Sequence, residues 1–172
     1  MIIAARYSAK VIVGRQTFVL LEEGDGDSAD HRTIDLWFNE RLVGGLVIPR
    51  PYLPGYSADD QYFFVWGGPR LYTLVLETGK LREFDLNADL GFPAGEVRAV
   101  YPLRGQRCVI CEHAVLLWEP ESGVISTYCQ QERGLLSSWW TGGRLYLDDL
   151  DRRTWLVEVD EEAASLAIVP AD

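Results

Sequence analysis

The feature that most constrains this chain is punctuation. Its 16 Gly and 8 Pro cut it into pieces too short for ordinary helices. Within the pieces, apolar and polar residues alternate with period two. Trp155, Val157 and Val159 fall on one face of a strand, and Thr154, Leu156 and Glu158 on the other. Thr17–Leu21, Ile34–Phe38, Tyr62–Trp66, Leu71–Leu76, Cys108–Cys111, Val115–Trp118, Val124–Cys129, Leu145–Leu147 and Leu166–Val169 read the same way. A helix over Asp160–Ser165, capped by Asp160, competes with a strand–turn–strand reading, which is preferred because it matches a repeat.

Thr17-Phe-Val-Leu-Leu, Tyr62-Phe-Phe-Val-Trp, Arg107-Cys-Val-Ile-Cys and Arg144-Leu-Tyr-Leu-Asp begin four units at spacings of 45, 45 and 37 residues. In each, a second apolar strand, a turn and a third strand follow. Thr78-Gly79 and Ser122-Gly123 supply that turn in the second and third units. Short apolar strands precede three units, at Val11–Val13, Val97–Tyr101 and Leu135–Trp140. A period near 40–45 residues with four strands per unit is that of propeller blades.

These units resemble blades of WD40-like and related β-propeller families. Ile34-Asp-Leu-Trp37 and Val115-Leu-Leu-Trp118 stand where such blades carry an apolar strand ending in Trp. The Gly-His pair and the Trp-Asp dipeptide of that family are absent, since Phe38 and Glu119 follow the two Trp. The resemblance implies an all-β fold of four antiparallel repeat units, a small β-propeller or propeller-like arc. A β-sandwich or barrel is the alternative. Residues 1–172 are expected to form a single all-β domain.

The net charge is −10, with 26 acids against 16 bases. That excludes a phosphate-tracking nucleic-acid binder and an anionic membrane surface as expected partners. The N-terminal Met1–Arg6 lacks the basic start and apolar core of a signal peptide. Three cysteines, Cys108, Cys111 and Cys129, fit a reducing compartment, so a cytoplasmic location is expected.

Cys108-Val-Ile-Cys111-Glu-His113 has zinc-like spacing, but Val and Ile make it a strand, in which positions three apart point to opposite faces. Neither metal nor cofactor is expected. Cys111 and His113 share a face and could act as nucleophile and base only with an orienting acid and an oxyanion hole. The loop Glu22–Asp30, with Asp25, Asp27 and Asp30, departs from a calcium loop at Ala29 and reads as a solvated turn. Asp148-Asp149-Leu150-Asp151 reads as a hairpin turn, and the glycine pairs Gly44-Gly45, Gly67-Gly68 and Gly142-Gly143 as turns. In the adjacent Trp139 and Trp140 the rings must point to opposite faces, and a large exposed aromatic marks a binding surface.

The expected function is a non-catalytic protein-binding module. Trp139, Trp140, Asp148, Asp149, Asp151, Asp25, Asp27 and Asp30 would meet a basic protein partner on an acidic loop face. Neutralising a basic toxin, as immunity proteins do, is one such role. The alternative is a small hydrolase or carbohydrate-binding module with Trp139 or Trp140 beside Asp148 and Asp149. The apolar end segments Val11–Val13 and Leu166–Val169 are expected either to meet in one sheet or to be covered in a homodimer.

Overall fold

A computed structural model describes residues 6–22, 30–103, 105–160 and 162–171. Sixteen strands lie among them, in four sheets of four. Sheet I holds β1 (Ser8–Val13), β2 (Gln16–Glu22), β3 (His31–Phe38) and β4 (Arg41–Pro49). Sheet II holds β5 (Gly55–Ala58), β6 (Tyr62–Gly67), β7 (Arg70–Val75) and β8 (Lys80–Asp85). After helix α1 (Leu86–Leu90), sheet III holds β9 (Val97–Pro102), β10 (Arg107–Cys111), β11 (Ala114–Trp118) and β12 (Ile125–Gln130). Sheet IV holds β13 (Leu135–Thr141), β14 (Arg144–Asp149), β15 (Thr154–Asp160) and β16 (Ser165–Pro170).

Within each sheet every strand is hydrogen-bonded to its neighbours in sequence, so each sheet is a simple antiparallel meander. The four unit starts read from the sequence fall in β2, β6, β10 and β14, the second strand of each sheet. β7 and β8 are joined across Thr78-Gly79, and β11 and β12 across Ser122-Gly123, as the repeat requires. β15 and β16 pair with Asp160 opposite Ser165, as the strand–turn–strand reading prefers over the helix.

The chain divides into two compact units, Met1–Glu83 and Phe84–Asp172, with the boundary inside β8. The first is built on the faces of sheets I and II. Phe18, Leu20, Ile34 and Leu36 meet Phe63, Val65, Tyr72 and Leu74 in one core. The Phe18 ring stacks on Phe63 at 4.0 Å and on Phe38 at 5.1 Å. Burying one such side chain fully stabilises by about 1.5–3 kcal/mol. The Tyr72 hydroxyl donates to the Val47 carbonyl at 3.1 Å and accepts from its N–H at 2.9 Å, tying sheet II to an edge of sheet I. In the second unit, Cys108, Ile110, Val115 and Leu117 of sheet III pack on Leu135, Leu145, Leu147, Val157 and Leu166 of sheet IV. The Cys129 thiol donates to the Leu166 carbonyl at 3.0 Å.

The two sheets of each unit differ in burial. β6, β10 and β11 are buried at every position, on both faces. In β2, β3 and β14 burial alternates, so sheets I and IV bury one face only.

Three points differ from the sequence reading. Gly44-Gly45 is not a turn but the middle of β4, where a Cβ on Gly44 would stand 3.2 Å from Leu81 and one on Gly45 3.3 Å from Thr33. These glycines let side chains approach a strand closely. The real turn is Asn39-Glu40, both at positive φ, where Asn39 Oδ1 accepts from Thr17 N–H at 2.9 Å. Helix α1 was not read from the sequence. It is capped by Asp85, which accepts from Asn87 and Ala88 N–H, and ends at Gly91. The end segments do not share a sheet: β1 is the outer strand of sheet I and β16 that of sheet IV.

Candidate functional site

Alternation along β13 decides where its two tryptophans go. Trp140 lies opposite Leu145 in the register and so shares the face that packs on sheet III. Its ring centroid lies 6.2 Å from that of Tyr101, whose hydroxyl is 2.7 Å from Ser138 Oγ. Trp139 lies opposite Tyr146 on the outer face, and the two rings stack at 5.7 Å and 13°. The register carries this row onward from Tyr146 to Leu156 and from Leu156 to Val169. One apolar row thus crosses all four strands of sheet IV. Both tryptophans keep contact with solvent, 37% exposed for Trp139 and 46% for Trp140.

Trp140 lines a cleft of about 350 Å³ between sheets III and IV, with Leu103, Cys108, Leu145 and Val159. Its charged lining residues are Arg144 and Glu158. Asp148 and Asp149 are not among the lining residues. Asp148, two positions beyond Tyr146 on β14, lies on the outer face with Trp139, and its Oδ1 accepts from Thr154 Oγ1 at 2.8 Å. Asp149 is buried on the inner face, opposite Leu135. Its carboxylate accepts from Arg153 N–H at 2.9 Å and from the Trp155 indole N–H at 3.0 Å. The Arg153 bond, aided by Trp155, holds this carboxyl below the usual carboxylate range against the opposing effect of burial. Asp149 therefore organises the turn into β15. Asp151 is exposed and lies 2.7 Å from Arg133.

The remaining expected acids belong to the first unit. Asp25 and Asp27 lie outside the described residues. Asp30 ends the β2–β3 connection, where its carbonyl accepts from Arg50 N–H at 2.8 Å. The structure thus pairs Trp139 with Asp148 on one face of sheet IV and sets Trp140 and Asp149 on the other.

The cysteine stretch behaves as a strand. Cys108 joins the core between sheets III and IV together with Ile110, while Cys111 points the other way. Burial pushes the Cys108 thiol up to about 12 and the Cys111 thiol higher still. The His113 ring is engaged elsewhere, with Nδ1 3.1 Å from the Gln131 carbonyl and Nε2 3.1 Å from Glu112 Oε1. Both His113 ring nitrogens therefore face partners other than Cys111.

Two features escaped the sequence reading. Glu22 is nearly buried, accepts from Tyr7 N–H at 2.8 Å and lies 3.6 Å from Arg32 and 3.8 Å from Arg50. A groove of about 710 Å³ runs over the outer face of sheet I, lined by Lys10, Arg15, Val19, Leu21 and Trp37 among others. The period-two pattern could have found it, since Val19, Leu21 and Trp37 are apolar residues on the supposedly polar face of β2 and β3.

Comparison with solved structures is consistent at the level of fold. The crystal structure of HIRA(644-1017) superposes on 95% of this chain and 52% of its own with a TM-score of 0.51 at 7% identity. The WD40 domain of Toxoplasma gondii coronin superposes on 88% and 43% with a TM-score of 0.53 at 13% identity. BamB from Moraxella catarrhalis superposes on 95% and 50% with a TM-score of 0.54 at 12% identity. The fold is β-propeller-like. The chain spans about half the length of these matched structures. No protein-family model matches the sequence, and no curated protein matches it.

Proposed function

We propose that this chain is a non-catalytic protein-binding module whose apolar anchor is Trp140. The observation that carries this is a tryptophan left 46% exposed on edge strand β13 beside an open cleft. A rigid aromatic in that position offers a partner large contact area with few rotatable bonds. The net charge of −10 supports a basic partner, steered over long range by Asp30, Asp148 and Asp151 and by the β2–β3 loop. Neutralisation of a basic toxin, in the manner of an immunity protein, is one form of this proposal, supported by that charge alone. A cytoplasmic setting also belongs to it, supported by three free cysteines. So does action of residues 1–172 as one domain. Among the described residues no helix is long and apolar enough to cross a membrane.

The hydrolase or carbohydrate reading is less well supported. It needs two carboxylates converging on Trp140, whereas Asp149 is engaged by Arg153 and Trp155 and Asp148 lies on the opposite face.

The test is capture with immobilised wild-type chain and with the Trp140→Ala variant at low and high salt. A basic protein retained by the wild type, released by salt and lost in the variant is the expected result. Equal retention by both would overturn the role of Trp140.

A further inference from the structure

The two edges of sheet I differ. At the β4 edge the Tyr72 hydroxyl donates to the Val47 carbonyl and accepts from the Val47 N–H, so the backbone there is engaged. The other edge is β1, the outer strand, which pairs with β2. The hydrogen bond from Glu22 N–H to the Tyr7 carbonyl, 2.9 Å, sets the phase of that ladder. Bonded residues alternate in an antiparallel pair, so Tyr7, Ala9, Val11 and Val13 turn their backbone groups toward β2, and Ser8, Lys10 and Ile12 turn theirs away. The two-residue turn Gly14-Arg15, closed by Val13 opposite Gln16, requires the same phase. Among the described residues no partner meets the outward N–H and C=O groups of Ser8, Lys10 and Ile12.

Side chains along β1 alternate as well. Ala9 and Val11 are half-buried against the core between sheets I and II. Lys10 and Ile12 lie on the outer face, where Ile12 is 66% exposed and Lys10 begins a row that continues through Val19, Trp37 and Leu42. An unpaired edge with an apolar inner side is a template for one more strand.

We propose that the β1 edge takes up an extended acidic segment of another protein, which adds to sheet I as a fifth strand. Charge selects this occupant. Lys10 and Arg15 line the groove beside the edge, and among the described residues neither side chain has an ion-pair or hydrogen-bond partner. The one acid in that lining is Glu40. A residue directly opposite Lys10 would share its face at about 5 Å, where an acid is attracted and a base repelled. Its two neighbours would face inward beside Ala9 and Val11, where apolar side chains lengthen the core. The fitting segment therefore alternates acidic and apolar residues. A lysine on an edge also keeps off strands that lack the acid. A second copy fits less well, because two β1 edges paired about Lys10 set like charges opposite each other between chains of net charge −10. The site is separate from Trp140, which belongs to the other compact unit.

The test is titration of the full, isotope-labelled chain with the capped peptide Thr-Val-Glu-Val-Glu-Val-Thr, followed by amide chemical shifts and hydrogen exchange. The amides of Ser8, Lys10 and Ile12 should shift and become protected, while those of Ala9 and Val11, already bonded to β2, change less. Replacing Glu by Gln in the peptide should weaken binding by up to about fivefold for each cross-strand pair lost, and replacing it by Lys should weaken it further. Lys10→Glu should invert the order, so that the Lys peptide binds more tightly than the Glu peptide. Ile12→Pro removes an outward N–H that no ladder bond uses, so the sheet should persist by circular dichroism while peptide affinity falls. If Ile12→Pro does not fold, the Lys10→Glu inversion decides. Unchanged amides at Ser8, Lys10 and Ile12 up to about 1 mM peptide would overturn the proposal. Equal affinity for the Glu and Lys peptides would remove the charge selection and overturn it too. Shifts confined to Val19, Leu21 and Trp37 would place the peptide across the face, and shifts of the three edge amides with protein concentration alone would give the edge to a second copy; either result overturns it.

Discussion

Gly123 offers a sharp test of packing in the second unit. It sits in the β11–β12 turn at φ +76, and a Cβ built there would stand 2.3 Å from the Phe84 ring. That ring cannot retreat freely, because it forms a T-shaped pair with fully buried Trp118, ring centroids 5.0 Å apart at 88°. Gly143, in the same unit, has a similar φ of +73 but nothing within 4 Å. Gly143→Ala should therefore cost only the left-handed backbone strain, about 1–2 kcal/mol. Gly123→Ala should cost that plus an overpacking penalty of about 1–3 kcal/mol, hence about 2–5 kcal/mol in total. With a urea slope near 2 kcal/mol/M, the excess moves the midpoint down by roughly 0.5–1.5 M relative to Gly143→Ala. The assay is urea unfolding followed by tryptophan fluorescence, with Gly123→Ala also made in a Phe84→Ala background. Removing the ring should abolish the excess, appearing as a favourable coupling of about 1–3 kcal/mol. Equal midpoints for the two glycine variants, or no coupling to Phe84, would refute the packing described here.

Other expectations follow from single groups. Leu20→Ala, in the core between sheets I and II, should destabilise by about 2–5 kcal/mol, read as a shifted urea midpoint. Cys108 and Cys111, with thiols pushed up by burial, should resist alkylation at pH 8 until the chain is unfolded, whereas half-exposed Cys129 should react first. Elemental analysis should find no zinc that depends on Cys108 or Cys111, since the two thiols diverge. Asp149 has a folded-state pKa below its unfolded value, so its contribution is present above about pH 4 and lost as pH falls below that. Asp149→Asn should therefore be less stable than wild type at pH 7, with the difference shrinking toward pH 2 in thermal melts.

The fold was legible where local pattern and periodicity coincide. Tyr62, Arg107 and Arg144 fall at strand starts because a meander repeats the same local problem: an apolar strand, a tight turn, an apolar return. It was illegible where a residue had a tertiary reason to be present. Gly44 and Gly45 read as a turn because no sequence pattern shows Leu81 and Thr33 lying against them. Asn39-Glu40 hid the true turn, since Glu rarely takes positive φ. The short helix was legible in principle: Asp85 and Gly91 bracket it as cap and stop, but five residues carry no periodicity. The sequence aligns Gly79 with Gly123, yet Phe84 lies against only the second. For the site, alternation alone forces Trp139 and Trp140 apart. Which one joins Tyr146, Leu156 and Val169 depends on registers set across three turns. The role of Asp149 was hidden for a like reason, because its indole partner, Trp155, is six residues away across a turn.

The account rests most heavily on four separate antiparallel meanders, and cross-strand nuclear Overhauser effects test that directly. Backbone contacts should link Val115 with Cys129, Val109 with Val100, Tyr146 with Leu156, and Val157 with Ile168, all between strands adjacent in sequence. Contacts instead joining β1 to β16, or β10 to any strand outside β9 and β11, would contradict the architecture.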